Sequence, residues 1–208
     1  MGGCIVEWGW RDQRVPADDL ALSSAVARAQ DGDEAAFAAL YRHVQPGLLG
    51  YLRGTVRESA EDVAAAVWGE IARDLPRFRG DGHGFRGWTA DIARRHALDC
   101  LKRRRASTRP PNRLGHAPLL DGTDLTASAE ALSVATAQAL IARLPRAQAE
   151  AVLLRHVVRL DEAATARVMR RPGTVVRVLA RRGLSGLDRL LAPHDLTHDV
   201  VRVLGEPG

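Results

Sequence analysis

The chain is poor in cysteine and in aromatic residues, and it has no long apolar run. Its two cysteines, Cys4 and Cys100, are too few and too far apart for a disulfide framework or a zinc site, which favours a reducing compartment such as the cytoplasm. Aromatic residues make up only 4% of the 208 residues, whereas alanine, leucine and valine are abundant. This composition predicts an all-α fold with helices packed through small aliphatic side chains.

Signals for a membrane or for catalysis are also missing. No stretch approaches 18 apolar residues, so we expect no membrane insertion, and the charged N-terminal sequence lacks the apolar core of a signal peptide. Neither Asp81 with His83 nor His96 with Asp99 has a recognised catalytic spacing. We therefore predict no enzyme activity, no cofactor and no metal. The pair His194 and His198 would share a helix face and leaves a metal-dependent nuclease as a weak alternative.

Arginine is abundant, and it is concentrated in two blocks. Lys102 is the only lysine among the 30 basic residues. Residues 76–113 hold 11 Lys/Arg against 3 Asp/Glu, and residues 143–191 hold 11 against 4. Every other part of the chain is net acidic, although the total charge is +5. Two separate basic segments predict two footprints on a polyanion, with DNA or RNA as the first candidate.

Apolar spacing and breaker residues predict two small helical domains joined by a flexible linker. The linker is rich in proline, serine and threonine. We divide the chain into an N-terminal extension at 1–22, a first domain at 23–105, the linker at 106–128, a second domain at 129–191 and a tail at 192–208.

Four helices are predicted in the first domain. They are a helix that ends at the turn Asp31-Gly32, a long or kinked helix over residues 37–56, a helix that starts at a capping box of Ser59 and Asp62, and a basic helix that starts at Phe85 after a Gly-rich loop of residues 79–84. In the second domain, Asp161 is expected to cap a helix through Met169, and Pro172 to start another through Arg182. The tight turn between these two is typical of a helix-turn-helix.

Three segments carry a resemblance to a known family. They are FRGDGHGFRGWTADIARRHALDCLKRRR at 78–105, SAEDVAAAVWGEIARDL at 59–75, and LPRAQAEAVLLRHVV followed by GTVVRVLARR in the second domain. Through them, over roughly residues 23–191, the chain resembles the extracytoplasmic-function (ECF) sigma factors of the sigma-70 family. These bacterial proteins direct RNA polymerase to promoters. The resemblance implies core RNA polymerase and promoter DNA as partners, together with an anti-sigma factor.

The resemblance also implies which residues contact each partner. Contact with core polymerase falls on the third helix, at Glu61, Asp62, Val63, Val67 and Trp68. Contact with the melted minus-10 element falls on Phe78, Arg79, Gly80, Asp81, His83, Phe85, Trp88, Arg94, Arg95, Asp99, Lys102, Arg103, Arg104 and Arg105. Contact with the minus-35 duplex falls on Arg171, Thr174, Val175, Arg177, Arg181 and Arg182.

The residues themselves favour a melting surface in the first domain. Trp88, Arg95, Asp99 and Lys102 share one helix face at spacings of seven, four and three. An aromatic ring beside cations suits unstacked bases, each worth roughly 1 to 3 kcal/mol when stacked. Glycines at 80, 82 and 84 would let the backbone approach an extruded base. The structural alternative is that Phe85 and Trp88 belong to the core and the arginines form a solvated face.

A second function also fits the helix-turn-helix. A transcriptional regulator that binds closed duplex DNA would carry much the same recognition helix. Such a protein has no use for the loop and aromatic residues of 78–88, whereas a melting factor depends on them. The turn MRRP, with Arg170 at a position that is usually apolar, is about one residue shorter than the family's usual turn.

Overall fold

The computed structural model describes residues 17–107 and 136–191, and nearly all of these residues are helical, which confirms the predicted all-α class. The first helical unit consists of α1 (Ala17–Gln30), α2 (Glu34–Val56), α3 (Ala60–Asp74) and α4 (Gly82–Ser107). Short 3-10 turns at Arg57–Ser59 and Leu75–Arg77 flank α3. The second helical unit consists of α5 (residues 136–141), α6 (Arg146–Val152) with a π-helical continuation (Leu153–Val157), α7 (Glu162–Met169) and α8 (Gly173–Leu191).

The apolar face of α2 forms the centre of the first unit. Leu40, Val44, Leu48 and Leu52 recur every fourth residue and are buried against α1, α3 and α4. The helix runs unbroken through Pro46, so the long helix predicted over residues 37–56 is confirmed. Most of the predicted linker, the first 16 residues and the tail with His194 and His198 lie outside the described residues.

The turn between α1 and α2 forms where the sequence predicts it. Gly32 has a φ of +89°, a conformation that glycine adopts without steric cost. Asp33 then caps α2 by accepting a hydrogen bond from the Ala36 amide at 2.9 Å. That bond and the Arg28 guanidinium hold the pKa of Asp33 below its usual value.

The predicted capping box at α3 is wrong. Ser59 makes no side-chain capping hydrogen bond, because the chain enters α3 directly from the 3-10 turn with Ser59 near helical backbone angles (φ −87°, ψ 7°). A side chain that caps a helix usually belongs to a residue in extended conformation. The helix itself, from Ala60 to Asp74, agrees with the predicted span.

Helix α1 holds the start of α4 in place. The Gln30 amide donates to the carbonyls of Leu75 (2.9 Å) and Phe78 (2.8 Å), and the Ser23 hydroxyl accepts from the Gly82 amide at 2.7 Å. A Cβ at Gly82 would lie 2.4 Å from the Asp19 carbonyl oxygen. Gly82 is therefore needed for the close approach of α1.

We expect Gly82→Ala to lower the free energy of unfolding by about 1 to 3 kcal/mol, because backbone atoms of α1 would have to move. Gly69→Ala is the matched control, since Gly69 lies on the exposed side of α3 with nothing within 4 Å of the added methyl group. This control should stabilise the protein by up to about 1 kcal/mol. Urea unfolding of both variants measures the difference, and equal stability of the two would contradict this account of Gly82.

The second unit contains two helices, α7 and α8, close to where the sequence predicts a pair joined by a tight turn. Asp161 caps α7 by accepting from the Ala164 amide at 2.6 Å, as predicted. Arg170 ends α7 in the left-handed conformation (φ 55°, ψ 48°), so the short turn places a non-glycine residue where glycine is usual. Helix α8 starts after Pro172 but runs to Leu191, nine residues beyond the predicted end, because Leu187 and Leu191 continue its buried face.

The two units pack against each other, and one hydrophobic core runs through both. Contacts join α2 to the π-helical segment and α4 to α7. The division into two domains therefore stays a prediction. In the part of the chain that the structure describes, no helix is long and apolar enough to cross a bilayer.

Candidate nucleic-acid interface

One face of α4 carries exposed charge along the C-terminal half of the helix. Arg95, Asp99 and Lys102 are exposed on this face, and Trp88 is half-buried at its N-terminal end. Arg103, Arg104 and Arg105 extend the positive charge towards the end of the helix, where they are also exposed. The Asp99 carboxylate pairs with Lys102 at 3.2 Å, which leaves an excess of cations along this surface.

Trp88 belongs to a cluster of three aromatic rings. The ring centroids of Phe78 and Trp88 are 4.9 Å apart, and those of Phe85 and Trp88 are 5.8 Å apart. Phe78 and Phe85 are 5% and 0% exposed, so they are core residues, as the structural alternative held for Phe85. Only Trp88 has ring surface left for a base. The two phenylalanines act in this cluster by supporting the indole from behind.

The predicted loop of residues 79–84 is shorter than expected, because α4 already begins at Gly82. Asp81 accepts a hydrogen bond from the Gly84 amide at 2.7 Å and so occupies the capping position of α4. Arg79 is exposed and donates to the carbonyls of Pro76 and Phe78. Arg79 and Gly80 are the exposed residues before the helix, whereas Gly82 faces α1 and is not open to a base.

Two predicted DNA contacts point towards carboxylates of the protein itself. His83 is buried, with Nδ1 3.9 Å from the Asp19 carboxylate and Nε2 3.6 Å from that of Asp161. The Nε atom of Arg94 donates to Glu150 Oε1 at 2.7 Å. Neither side chain is presented to solvent as the sequence suggested, because Asp161 and Glu150 of the second unit lie over them.

A further carboxylate, that of Glu70, holds Arg95. Glu70 on α3 accepts from Arg95 at 2.7 Å through Oε1 and contacts His96 at 2.7 Å through Oε2. Burial works to raise the pKa of Glu70, but the hydrogen bonds from His96 and Arg95 outweigh it and keep that pKa below its usual value. Arg95 remains 47% exposed, so its guanidinium is oriented by Glu70 while one side stays open.

All six predicted DNA contacts on α8 and in the turn before it are exposed to solvent. The exposed residues are Arg171, Thr174, Val175, Arg177, Arg181 and Arg182. Arg177 is already engaged, because it donates twice to the Glu162 carboxylate at 2.8 and 2.9 Å. These bonds lower the pKa of Glu162 and raise that of Arg177. A phosphate or guanine edge would therefore have to replace Glu162 to bind Arg177.

Comparisons with known proteins identify the family. Residues 40–107 match Sigma-70 region 2. The ECF RNA polymerase sigma factor BldN of Streptomyces coelicolor is 30% identical over 188 residues, which cover 87% of this chain and 70% of BldN. The chain belongs to the ECF RNA polymerase sigma factors. As a sigma factor, it directs transcription initiation.

Further relatives extend this result. ShbA of Streptomyces griseus is 31% identical over 81% of this chain and 94% of its own length, and SigD of Mycobacterium tuberculosis is 31% identical over 84% and 86%. Both are ECF RNA polymerase sigma factors. A solved structure of CnrH in complex with the cytosolic domain of CnrY has the same fold, with a TM-score of 0.60 at 20% identity over 84% of this chain and 99% of that one.

Three of the five residues predicted to contact core polymerase are buried in this structure. Val63, Val67 and Trp68 are 7%, 0% and 8% exposed, so these three belong to the core of the sigma factor. Trp68 packs on Tyr41 with ring centroids 4.7 Å apart, and its indole N–H donates to Gln45 at 2.6 Å. The amphipathic pattern that predicted the helix also required one side of it to be buried.

The exposed side of α3 carries the acidic residues. Glu61 and Asp62 are exposed, and Glu61 pairs with Arg53 of α2 at 2.6 Å. Small residues follow on the same side, and on α2 the Tyr41 ring is 40% exposed. The sigma factor thus offers an acidic surface of small residues with an aromatic ring nearby.

Sequence reasoning missed the carboxylates that hold the basic residues, namely Asp19, Glu70, Glu150, Asp161 and Glu162. Their partners lie 15 to 78 residues away along the chain, so no local spacing reveals them. The glycines at 47, 50 and 54 did carry a signal, not for these carboxylates but for the close approach of another segment to α2, because glycine inside a helix often marks such an approach. Within residues 17–107 and 136–191, no three His, Cys, Asp or Glu side chains gather as a metal site.

Proposed function

We propose that this sigma factor binds core RNA polymerase and promoter DNA in the cytoplasm, opens the DNA with α4 and reads intact duplex with α8. The observation that carries the proposal is the surface of α4, where a half-buried tryptophan adjoins a row of exposed cations. An anti-sigma factor is the further partner that the resemblance implies.

The α4 surface suits the stabilisation of separated strands. Opening a duplex requires a flat group on which an unstacked base can rest and cations that hold the backbone. Trp88 supplies the flat group, and the phenylalanines behind it fix its position. Arg95 and the cations at 102–105 supply the positive charge, and their contacts with phosphate should make DNA binding fall steeply with salt.

The α8 surface suits intact duplex. Its N-terminal turn follows the tight turn after α7, the arrangement in which a recognition helix enters the major groove. Arg181 and Arg182 are exposed on this helix and are free of the Glu162 contact that restrains Arg177. Arginine contacts guanine through two parallel hydrogen bonds, which is the commonest specific contact in that groove.

We place the core-polymerase contact on the outer side of α3 at Glu61 and Asp62. Asp62→Arg should weaken retention of core polymerase by about tenfold, because a like charge would replace an attractive one at the rim of the contact. Asp31→Arg, in the exposed turn between α1 and α2, is the matched control and should bind normally. Co-purification with core polymerase and circular dichroism of both variants provide the measurement. Equal retention of the two would place the contact elsewhere.

Run-off transcription with purified core polymerase on genomic fragments tests the proposed function as a whole. Specific transcripts that depend on the added protein are expected. Tight binding to duplex fragments without any transcript, and without association with core polymerase, would instead support the regulator that binds closed DNA.

A further inference from the structure

Glu70 of α3 connects two neighbouring side chains of α4. One of its carboxylate oxygens accepts a hydrogen bond from Nη2 of Arg95 at 2.7 Å, and the other lies 2.7 Å from Nε2 of His96. The Glu70 side chain is only 16% exposed, so it has little freedom to turn away from these contacts. Because each oxygen has its own partner on α4, the carboxylate keeps a fixed orientation between the two helices.

Arg95 is held along one edge of its guanidinium group. Besides the bond from Nη2 to Glu70, its Nε atom lies 3.6 Å from the Asp91 carboxylate, one turn earlier on α4. Nε and Nη2 form one edge of this planar group. Nη1 makes no hydrogen bond within residues 17–107 and 136–191, and the side chain is 47% exposed. The outer edge, formed by Nη1 and Nη2, is therefore left with two parallel N–H donors for a ligand.

The surroundings of this edge suit a base better than a phosphate. The carboxylates of Glu70 and Asp91 lie beside the guanidinium and would repel a phosphate, whereas a base is uncharged. Glu70 stays ionised, because hydrogen bonds from His96 and Arg95 keep its pKa below the usual value. Arg103, by contrast, is exposed and forms no ion pair with the described residues, which suits a phosphate ligand.

Two of the four bases have acceptors that match two parallel N–H donors. Guanine carries O6 and N7 side by side, and arginine binds this pair through two parallel hydrogen bonds. A cytosine released from its base pair offers O2 and N3 side by side in the same way. Adenine and thymine place an N–H donor next to the acceptors on the corresponding edges, so one arginine N–H would meet another donor. A fixed guanidinium edge therefore discriminates among unpaired bases.

We propose that Arg95 selects a guanine or an unpaired cytosine in the opened promoter strand, and that Glu70 is the residue that positions Arg95 for this contact. The role goes beyond supplying positive charge, and it rests on the proposed function of α4 in holding separated strands. Arg95 lies seven residues after Trp88, or about 10 Å along the helix axis, so it meets a different base from the one on the indole. Holding the guanidinium in advance reduces the conformational entropy that is lost on binding.

Selection from a randomised bubble tests the proposal. Each template carries the upstream duplex of a genomic fragment that gives specific run-off transcripts, followed by an unpaired segment of random sequence. Core polymerase with the full sigma chain retains part of the pool, which is sequenced and compared with the input. The unmodified protein should enrich guanine or cytosine over adenine and thymine by about 5-fold to 100-fold at one position, the discrimination expected of one bidentate contact.

Two variants test the roles of Arg95 and Glu70 separately. Arg95→Lys keeps the positive charge but removes the fork of donors, so the enrichment at that position should disappear while other positions keep theirs. Glu70→Gln should lower the same enrichment by about 2-fold to 10-fold, because a freed side chain loses more conformational entropy when it binds the base. Total retention by Glu70→Gln should not fall, since a negative charge near the DNA has been removed. A purely structural role of Glu70 would lower retention and leave the base preference unchanged.

Matched controls come from the same two helices. Arg103→Ala removes a cation of α4 and should lower the retention of all templates equally, without a change in base preference. Asp74→Asn removes a carboxylate of α3 that pairs with Arg73, and it should alter neither retention nor preference. The preference is a ratio among retained templates, so a smaller folded fraction of any variant, measured by circular dichroism, does not change it.

The outcomes separate this inference from the proposed function. Enrichment that survives in Arg95→Lys would show that no fork of donors is needed, and an equal loss on every template would assign Arg95 to the phosphate backbone. A preference that Glu70→Gln leaves intact would show that Glu70 does not position Arg95. Each of these results overturns the inference alone, while bubbles are still retained. Retention of bubbles no better than that of fully paired DNA would overturn the proposed function of α4 and the inference with it.

Discussion

Trp88→Ala should reduce run-off from a native promoter by about 5-fold to 100-fold, and a template with a pre-melted bubble should restore most of the loss. One base stacked on an aromatic ring is worth roughly 1 to 3 kcal/mol, and the indole of Trp88 is the partly exposed ring of the aromatic cluster on α4. The defect should appear as missing reactivity of promoter thymines to permanganate, because the variant fails at strand opening and not at initial binding.

The control for Trp88 has to separate stacking from packing, since the indole also contacts Phe78 and Phe85. Trp88→Phe keeps an aromatic ring and should retain much of the opening activity. Trp88→Phe and Trp88→Ala both lose part of the contact that the indole makes with Phe78 and Phe85. Thermal unfolding of each shows how much packing is lost. Normal opening of the native promoter by Trp88→Ala, or a defect that the bubble does not relieve, would count against α4 as the melting surface.

Arg181→Ala should weaken closed-complex formation on duplex DNA by about 5-fold to 100-fold, if Arg181 makes a bidentate contact worth roughly 1 to 3 kcal/mol. Arg177→Ala should have a smaller effect, because Arg177 must first leave the Glu162 carboxylate. For the same reason Glu162→Gln should strengthen binding. Anisotropy of labelled duplex with the holoenzyme at low temperature measures all three variants.

Arg189→Ala is the matched control for this series. Arg189 lies late on α8, is exposed and donates to the Ser185 carbonyl of its own helix. Its removal should leave closed-complex affinity unchanged. An equal loss for Arg181→Ala and Arg189→Ala would mean that α8 contributes only general positive charge and does not read the duplex.

The helices were predictable because their apolar residues recur regularly. The periodicity over residues 37–56 and after Phe85 predicted α2 and α4, and Asp161 and Pro172 marked the starts of α7 and α8. Local rules failed where tertiary packing decides. Ser59 does not cap α3, Gly82 faces α1 and not a base, and Leu191 extends α8 because the core continues there.

The environment of the predicted site residues was harder to predict from the sequence than the fold was. Composition marks Arg94, Arg95 and Arg177 as cations, but the carboxylates that engage them lie on other helices. Likewise, a pattern that shows α3 to be amphipathic does not say which side meets a partner. The sequence therefore predicts a contact between Trp68 and core polymerase, although the Trp68 side chain is buried. Exposure and ion pairing depend on contacts between distant parts of the chain.

Helix α1 starts before residue 23, so the folded part of the chain begins earlier than the sequence predicts. The sequence placed an extension before residue 23, yet Asp19 and Leu22 are buried, and Asp19 pairs with Arg86 at 3.2 Å. A shortened chain that began at residue 23 would leave the guanidinium of Arg86 without its carboxylate and uncover the glycine at the start of α4. A protease that trimmed α1 would therefore damage the surface proposed to open DNA, although it would cut more than 60 residues before Trp88.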